Sequence, residues 1–180
     1  SEDAARRELV RVDARLSHAG AREVVALCPN CAAAFEGALS CGVSTIYAKL
    51  HELAREGLVS VRAIEPPGAV FVPCPDREAQ SWLSDLKPFL GPGVFPSSCS
   101  MCCGAAFELG NPAASDVAAM RVLAAIAREC AERGIADPVA YVYCASCAGK
   151  LERARRGCAD EASRRVRVIH ALSALLGVDE

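Results

Sequence analysis

The sequence predicts an α/β protein made of small parallel sheets flanked by helices. Runs with helical period alternate with short strand-like runs, the pattern of parallel strands joined by helical crossovers. Residues 5–56 and 119–177 repeat one another in the order helix, strand, CxxC, helix, helix. Each strand-like run of the repeat leads straight into cysteines, and open α/β sheets gather ligands at the carboxyl ends of their strands.

In the first copy Leu9, Val12 and Leu16 mark the apolar face of a helix that ends at Gly20. A strand over 23–27 delivers Cys28-Pro29-Asn30-Cys31, an Ala-rich helix follows, and Thr45–Leu50 reads as a short amphipathic helix. Pro66-Pro67-Gly68 closes that segment, and Ala69–Val72 is a buried strand leading to Pro73-Cys74. Asp76–Leu86 reads as one helix, with Asp76 as its N-cap and Ala79, Trp82, Leu83 and Leu86 as its stripe. Gly91-Pro92-Gly93 turns the chain into the strand Val94-Phe95, and a polar loop over 96–104 carries Cys99, Cys102 and Cys103. The second copy sets Leu123, Ile126 and Cys130 before Gly134, then a strand over 139–143 and Cys144-Ala145-Ser146-Cys147. It ends in an Ala-rich helix and a short helix over Val168–Leu172, in which His170 aligns with Tyr47. Residues 66–180 thus read as a whole module, and residues 1–65 as the back half of the same module. The start at Ser1, with no initiator methionine, fits a processed or excised chain.

Composition narrows the function. Apolar residues are 52% of the chain and charged residues 23%, enough to bury a core without staples. With 20 basic and 22 acidic residues the net charge is -2, which offers nucleic acid no basic field. The apolar stretch Val117–Ile126 is interrupted by Arg121 and is too short to span a membrane. The first residues form no apolar signal region, so a cytoplasmic location is expected. No P-loop, GxGxxG or Ser/His/Asp arrangement stands out. Eleven cysteines do: the number is odd, and CxxC and CC pairs in such a chain point to metal or redox chemistry.

The strongest constellation is Cys74, Cys102-Cys103-Gly104 and Cys144-x-x-Cys147. A CxxC at a strand–helix junction aims two sulfurs at one point, and the helix N-terminus favours thiolates. Adjacent cysteines diverge and chelate a single ion poorly, whereas they suit a polynuclear cluster. Gly104 permits close backbone approach, and its N–H can reach a cluster sulfur. Five thiolates exceed by one the needs of tetrahedral zinc or a cubane, which favours an unusual iron–sulfur cluster, with zinc as the alternative. Cys130 is expected in the core, Cys41 and Cys158 as spare thiols, and Cys99 as a substitute ligand or a disulfide partner for Cys102. His170 is expected to make a structural hydrogen bond. The arginines at 153, 155, 156, 164, 165 and 167 read as a solvated helix face, or as a dock for an acidic electron-transfer partner.

The segments Val72-Pro73-Cys74-Pro75, Cys102-Cys103-Gly104, Tyr143-Cys144-Ala145-Ser146-Cys147 and Val168-Ile169-His170-Ala171-Leu172 resemble the cysteine-rich CCG domain. That domain occurs in the B subunit of heterodisulfide reductases. It also occurs in iron–sulfur subunits of glycolate, lactate and anaerobic glycerol-3-phosphate oxidoreductases. The resemblance covers essentially the whole chain, as one complete CCG module at 66–180 preceded by the back half of a second at 1–65. It implies that Cys74, Cys102, Cys103, Cys144 and Cys147 hold a non-cubane-type 4Fe-4S cluster. Cys28 and Cys31 would be ligands of a first site whose opening cysteine and CCG are absent here. The implied role is electron transfer within an oxidoreductase, from a flavoprotein or ferredoxin-like partner to a disulfide or quinone-linked acceptor. Any membrane association would come through partners. The reading from another class is a degenerate module, zinc-bound or metal-free, kept as a scaffold for subunit assembly.

Overall fold

The computed structural model describes residues 2–178. Its packing divides the chain into two compact units, Ser1–Val59 and Ser60–Glu180. Each is α/β, with a small parallel sheet flanked by helices. Among the described residues no helix is long and apolar enough to cross a membrane.

In the first unit α1 (Glu2–His18) ends where Gly20 adopts φ +68, a left-handed turn that glycine enters without a Cβ penalty. Strand β1 (Glu23–Ala26) pairs in parallel with β2 (Gly42–Thr45), with Ala26 opposite Thr45. Helix α2 (Pro29–Phe35) follows β1, and α3 (Ile46–Arg55) follows β2. Thr45 Oγ1 caps α3 by accepting from the Ala48 N–H at 2.9 Å. The Asp13 carboxylate of α1 accepts from the backbone N–H and hydroxyl of Ser40, which fixes the loop ahead of β2.

The second unit runs β3 (Gly68–Phe71), α4 (Ser81–Leu86), β4 (Val94–Pro96), α5 (Pro112–Glu132), β5 (Val139–Val142) and α6 (Ala145–Arg156). It closes with α7 (Glu161–Arg165), β6 (Arg167–His170) and α8 (Ala171–Leu176). Its sheet has the order β4-β3-β5-β6, all parallel. Every residue of β3 and β5 is buried, as befits central parallel strands covered on both faces. Phe71, Leu123, Ile126, Tyr141, Leu151 and Leu175 fill the core around them. Residues from Ser60 onward pack with this unit: Ile64 is fully buried and bridges Leu90, and the Arg62 N–H donates to the Leu175 carbonyl.

The structure differs from the sequence reading in two places. Asp76–Leu86 is not one helix but a 3-10 turn, Cys74–Asp76, followed by the shorter α4. The buried Asp76 side chain reaches forward to the Trp82 and Leu83 N–H groups, so it caps α4 from outside the helix. The Val168–Leu172 helix is instead the end of β6 followed by α8, and β2 likewise precedes α3. In both copies the strand passes into the helix through a single extended N-cap residue, Thr45 or His170, with no loop to mark the change. Strand register therefore equates His170 with Thr45 rather than Tyr47, since they oppose Val142 and Ala26 respectively. The repeat otherwise holds: α1-β1-α2-β2-α3 matches α5-β5-α6-β6-α8, with α7 inserted.

From β3 the chain crosses to β4 on one side, and it reaches β5 on the other. The carboxyl ends of β3 and β5 therefore flank a topological switch point, where open parallel sheets form their binding crevice.

Candidate functional site

Three strand ends feed this crevice. Beyond β3 comes Cys74, beyond β4 come Cys102 and Cys103, and beyond β5 come Cys144 and Cys147. Their thiols are electrostatic neighbours in series. Cys102 is close enough to Cys74 for the two thiols to influence one another's titration, as Cys103 is to Cys102 and Cys147. Cys144 likewise acts on Cys147, and the Cys103 and Cys147 sulfurs stand 3.0 Å apart. The series is graded in depth: Cys74 is exposed, Cys102 half-buried, and Cys103, Cys144 and Cys147 buried. Among the described residues no three His, Cys, Asp or Glu side chains are gathered so as to hold a single metal ion.

The backbone that aims these sulfurs is tied down at each loop. Asp76 is 2% exposed and accepts from the Tyr143 hydroxyl at 2.8 Å as well as from α4. The turn carrying Cys74 is thereby joined to the residue just before Cys144. On the β4 loop the Ser97 N–H donates to the Val70 carbonyl, and the Ser98 N–H and hydroxyl donate to Glu129 of α5. Gly104 ends the loop at φ +85, and a Cβ there would lie 2.4 Å from the Ser115 carbonyl oxygen. The glycine is thus required by close packing on α5, reinforced when the Ser115 hydroxyl donates to the Gly104 carbonyl. Its N–H donates to Cys102 Sγ at 3.3 Å, so the expected backbone hydrogen bond falls on a cysteine sulfur. Behind the loop, the buried Lys150 of α6 pairs with Asp116 of α5, and Arg153 with Glu108.

Electrostatics follow the contacts. The hydrogen bond with Cys147 lowers the Cys103 thiol to about 7, against the cost of burial. The same bond raises Cys147, whose proton the pair retains. Burial is the main cause that raises Cys102.

The remaining sequence candidates lie elsewhere. Cys28 is the N-cap residue of α2 and Cys31 lies exposed in its first turn, the positions that Cys144 and Cys147 occupy at α6. Cys130 is fully buried in α5, as a core residue. Cys158 is buried and Cys41 half-buried. Cys99 is buried, and burial raises its thiol; the charges acting on it are those of Glu129, Arg77 and Arg128. His170 is held neutral by burial, and its Nε2 has no hydrogen-bond partner. The expected structural hydrogen bond is therefore not made at that nitrogen.

Sequence reasoning missed Arg77. Its Nη2 donates to Cys74 Sγ at 3.4 Å and to the Met101 carbonyl at 3.0 Å. The only signal was its place three residues after Cys74, on the turn that Asp76 anchors.

No family model, curated protein or solved structure matches the chain. Chemically, the site is a set of soft thiol donors buried on its inner side. Soft thiolates are donors that zinc and iron–sulfur clusters both take.

Proposed function

We propose that this chain is part of an iron–sulfur oxidoreductase subunit of the CCG-domain kind. In this reading Cys74, Cys102, Cys103, Cys144 and Cys147 are the ligands of a non-cubane-type 4Fe-4S cluster. The observation that carries it is the convergence of these five cysteines from three neighbouring strand ends on the switch point, with the Cys103 and Cys147 sulfurs 3.0 Å apart. When bound, the cluster supplies one-electron transfer between a flavoprotein or ferredoxin-like partner and a disulfide or quinone-linked acceptor. The chain's own residues do the rest. Buried Cys103, Cys144 and Cys147 keep water from the inner side, and the Gly104 N–H steadies Cys102. Exposed Cys74 marks the side from which an acceptor is reached. A cytoplasmic location, with any membrane contact through partners, belongs to the same reading. Cys28 and Cys31 would serve a first site completed by residues outside this sequence.

The test is iron, acid-labile sulfide and zinc content, with an electronic spectrum, on protein reconstituted without oxygen. The expected result is about four irons per chain, falling sharply in Cys103→Ser. Failure to take up iron defeats the proposal. One zinc per chain without a chromophore would instead support the scaffold reading.

A further inference from the structure

Among the described residues no salt bridge is made by Arg77, which lies beside the exposed Cys74. Its Nε is buried from solvent and has no acceptor, while its Nη2 is spent on Cys74 Sγ and the Met101 carbonyl. Among the described residues no carboxylate pairs with it. The adjacent carboxylate, Asp76, is turned away and already accepts from Ser81, Trp82, Leu83 and Tyr143. Glu129, whose charge also acts on the Cys99 loop, is taken by Ser98. A guanidinium presents several N–H donors in a fixed plane, so burying one of them without a partner sacrifices stability. That sacrifice makes sense where an electron-rich group completes the set.

We infer that Arg77 is a further residue of the site: it donates from Nε to the electron-rich sulfur of the bound cluster while Nη2 holds Cys74. This rests on the iron–sulfur reading and adds a role for a residue that is not a ligand. A positive charge and a hydrogen bond at sulfur both favour the reduced state, because reduction adds negative charge there. Arg77 therefore sets the reduction potential. Lysine at 77 keeps the charge but not the planar Nε donor, and methionine keeps neither.

The experiment uses the reconstituted chain, with iron content measured first and then an anaerobic dithionite titration followed by paramagnetic resonance. The parent, Arg77→Lys and Arg77→Met are compared at matched iron content, each with its fold checked by circular dichroism. The expected midpoint potential is highest in the parent, lower in Arg77→Lys and lowest in Arg77→Met. Iron-loaded variants that both keep the parent midpoint overturn the inference and leave the cluster reading intact. If Arg77→Met does not retain iron, an Arg77→Lys midpoint equal to the parent's overturns it alone. A parent that takes up no iron defeats the cluster reading, and this inference with it.

Discussion

The bond between Asp76 and Tyr143 is the tie whose strength can be worked out most directly. Asp76 is 2% exposed and accepts from the Ser81 hydroxyl at 3.2 Å, Trp82 N at 3.1 Å, Leu83 N at 2.9 Å and the Tyr143 hydroxyl at 2.8 Å. Asp76→Ala removes the cap of α4, worth about 1 kcal/mol. It also deprives the buried Tyr143 hydroxyl of this acceptor, at a cost of about 1–3 kcal/mol. The expected loss is thus about 2–4 kcal/mol. Tyr143→Phe leaves Asp76 three of its donors and should lose only about 1 kcal/mol. In the Asp76→Ala background the same Tyr143→Phe change should cost nothing, giving a coupling of about 1 kcal/mol. The assay is equilibrium urea unfolding of the metal-free protein under reducing conditions. Trp82 is the sole tryptophan and lies in the second unit, so its fluorescence reads that unit alone. An Asp76→Ala loss below about 0.5 kcal/mol, or strictly additive double-mutant losses, would refute the tie between the two cysteine-bearing turns.

Other expectations test the same frame. Gly104→Ala meets a positive φ and a Cβ 2.4 Å from the Ser115 oxygen. Strain and overpacking together should lower stability by about 2–5 kcal/mol, read by the same urea unfolding. Cys99→Ser should leave iron uptake unchanged where Cys103→Ser lowers it sharply, because Cys99 stands among charged side chains rather than beside the thiols of the site. His170 has its folded-state pKa lowered by burial, so the unfolded chain binds its proton first. Stability attributable to His170 should hold above about pH 6.5 and decline as pH falls from there toward the folded pKa. His170→Asn should remove that part of the pH dependence, measured as urea midpoints between pH 5 and 8.

The alternation that predicts the fold class was legible because β3 and β5 are central strands, whose continuous apolar runs cannot be mistaken for solvated loops. The five-cysteine set was legible because each member follows a strand end. What escaped were elements defined by a junction or a long-range bond. Gly42–Thr45 and Arg167–His170 become strands only by pairing with β1 and β5, and they enter their helices without a turn. Asp76 carries the mark of a cap, but its extra reach to Tyr143 depends on a parallel neighbour far along the chain. Arg77 resembles any surface arginine until the loop after β4 brings the Met101 carbonyl to its guanidinium. Gly104 was singled out correctly, yet the close contact that demands it is with Ser115 of α5.

The repeat shows which part of the architecture makes the site. Cys28 and Cys31 stand at the start of α2 as Cys144 and Cys147 do at the start of α6, after strands paired to their next strand in the same parallel register. Yet Cys31 is exposed, whereas Cys147 is buried against Cys103. The difference is not in the CxxC or in the strand that delivers it. It lies in β3, β4 and their loops, which the described first unit does not contain and which supply Cys74, Cys102, Cys103 and Gly104 to the second. A closing CxxC is thus a half-site, and an opposing pair of strands converts it into a thiol cluster. Grafting further cysteines beside Cys28 and Cys31 on α2 should therefore not produce iron uptake, because the described first unit has no counterpart of β3 and β4. Iron bound stoichiometrically by such a first-unit variant, with Cys103 already changed to Ser, would overturn this account.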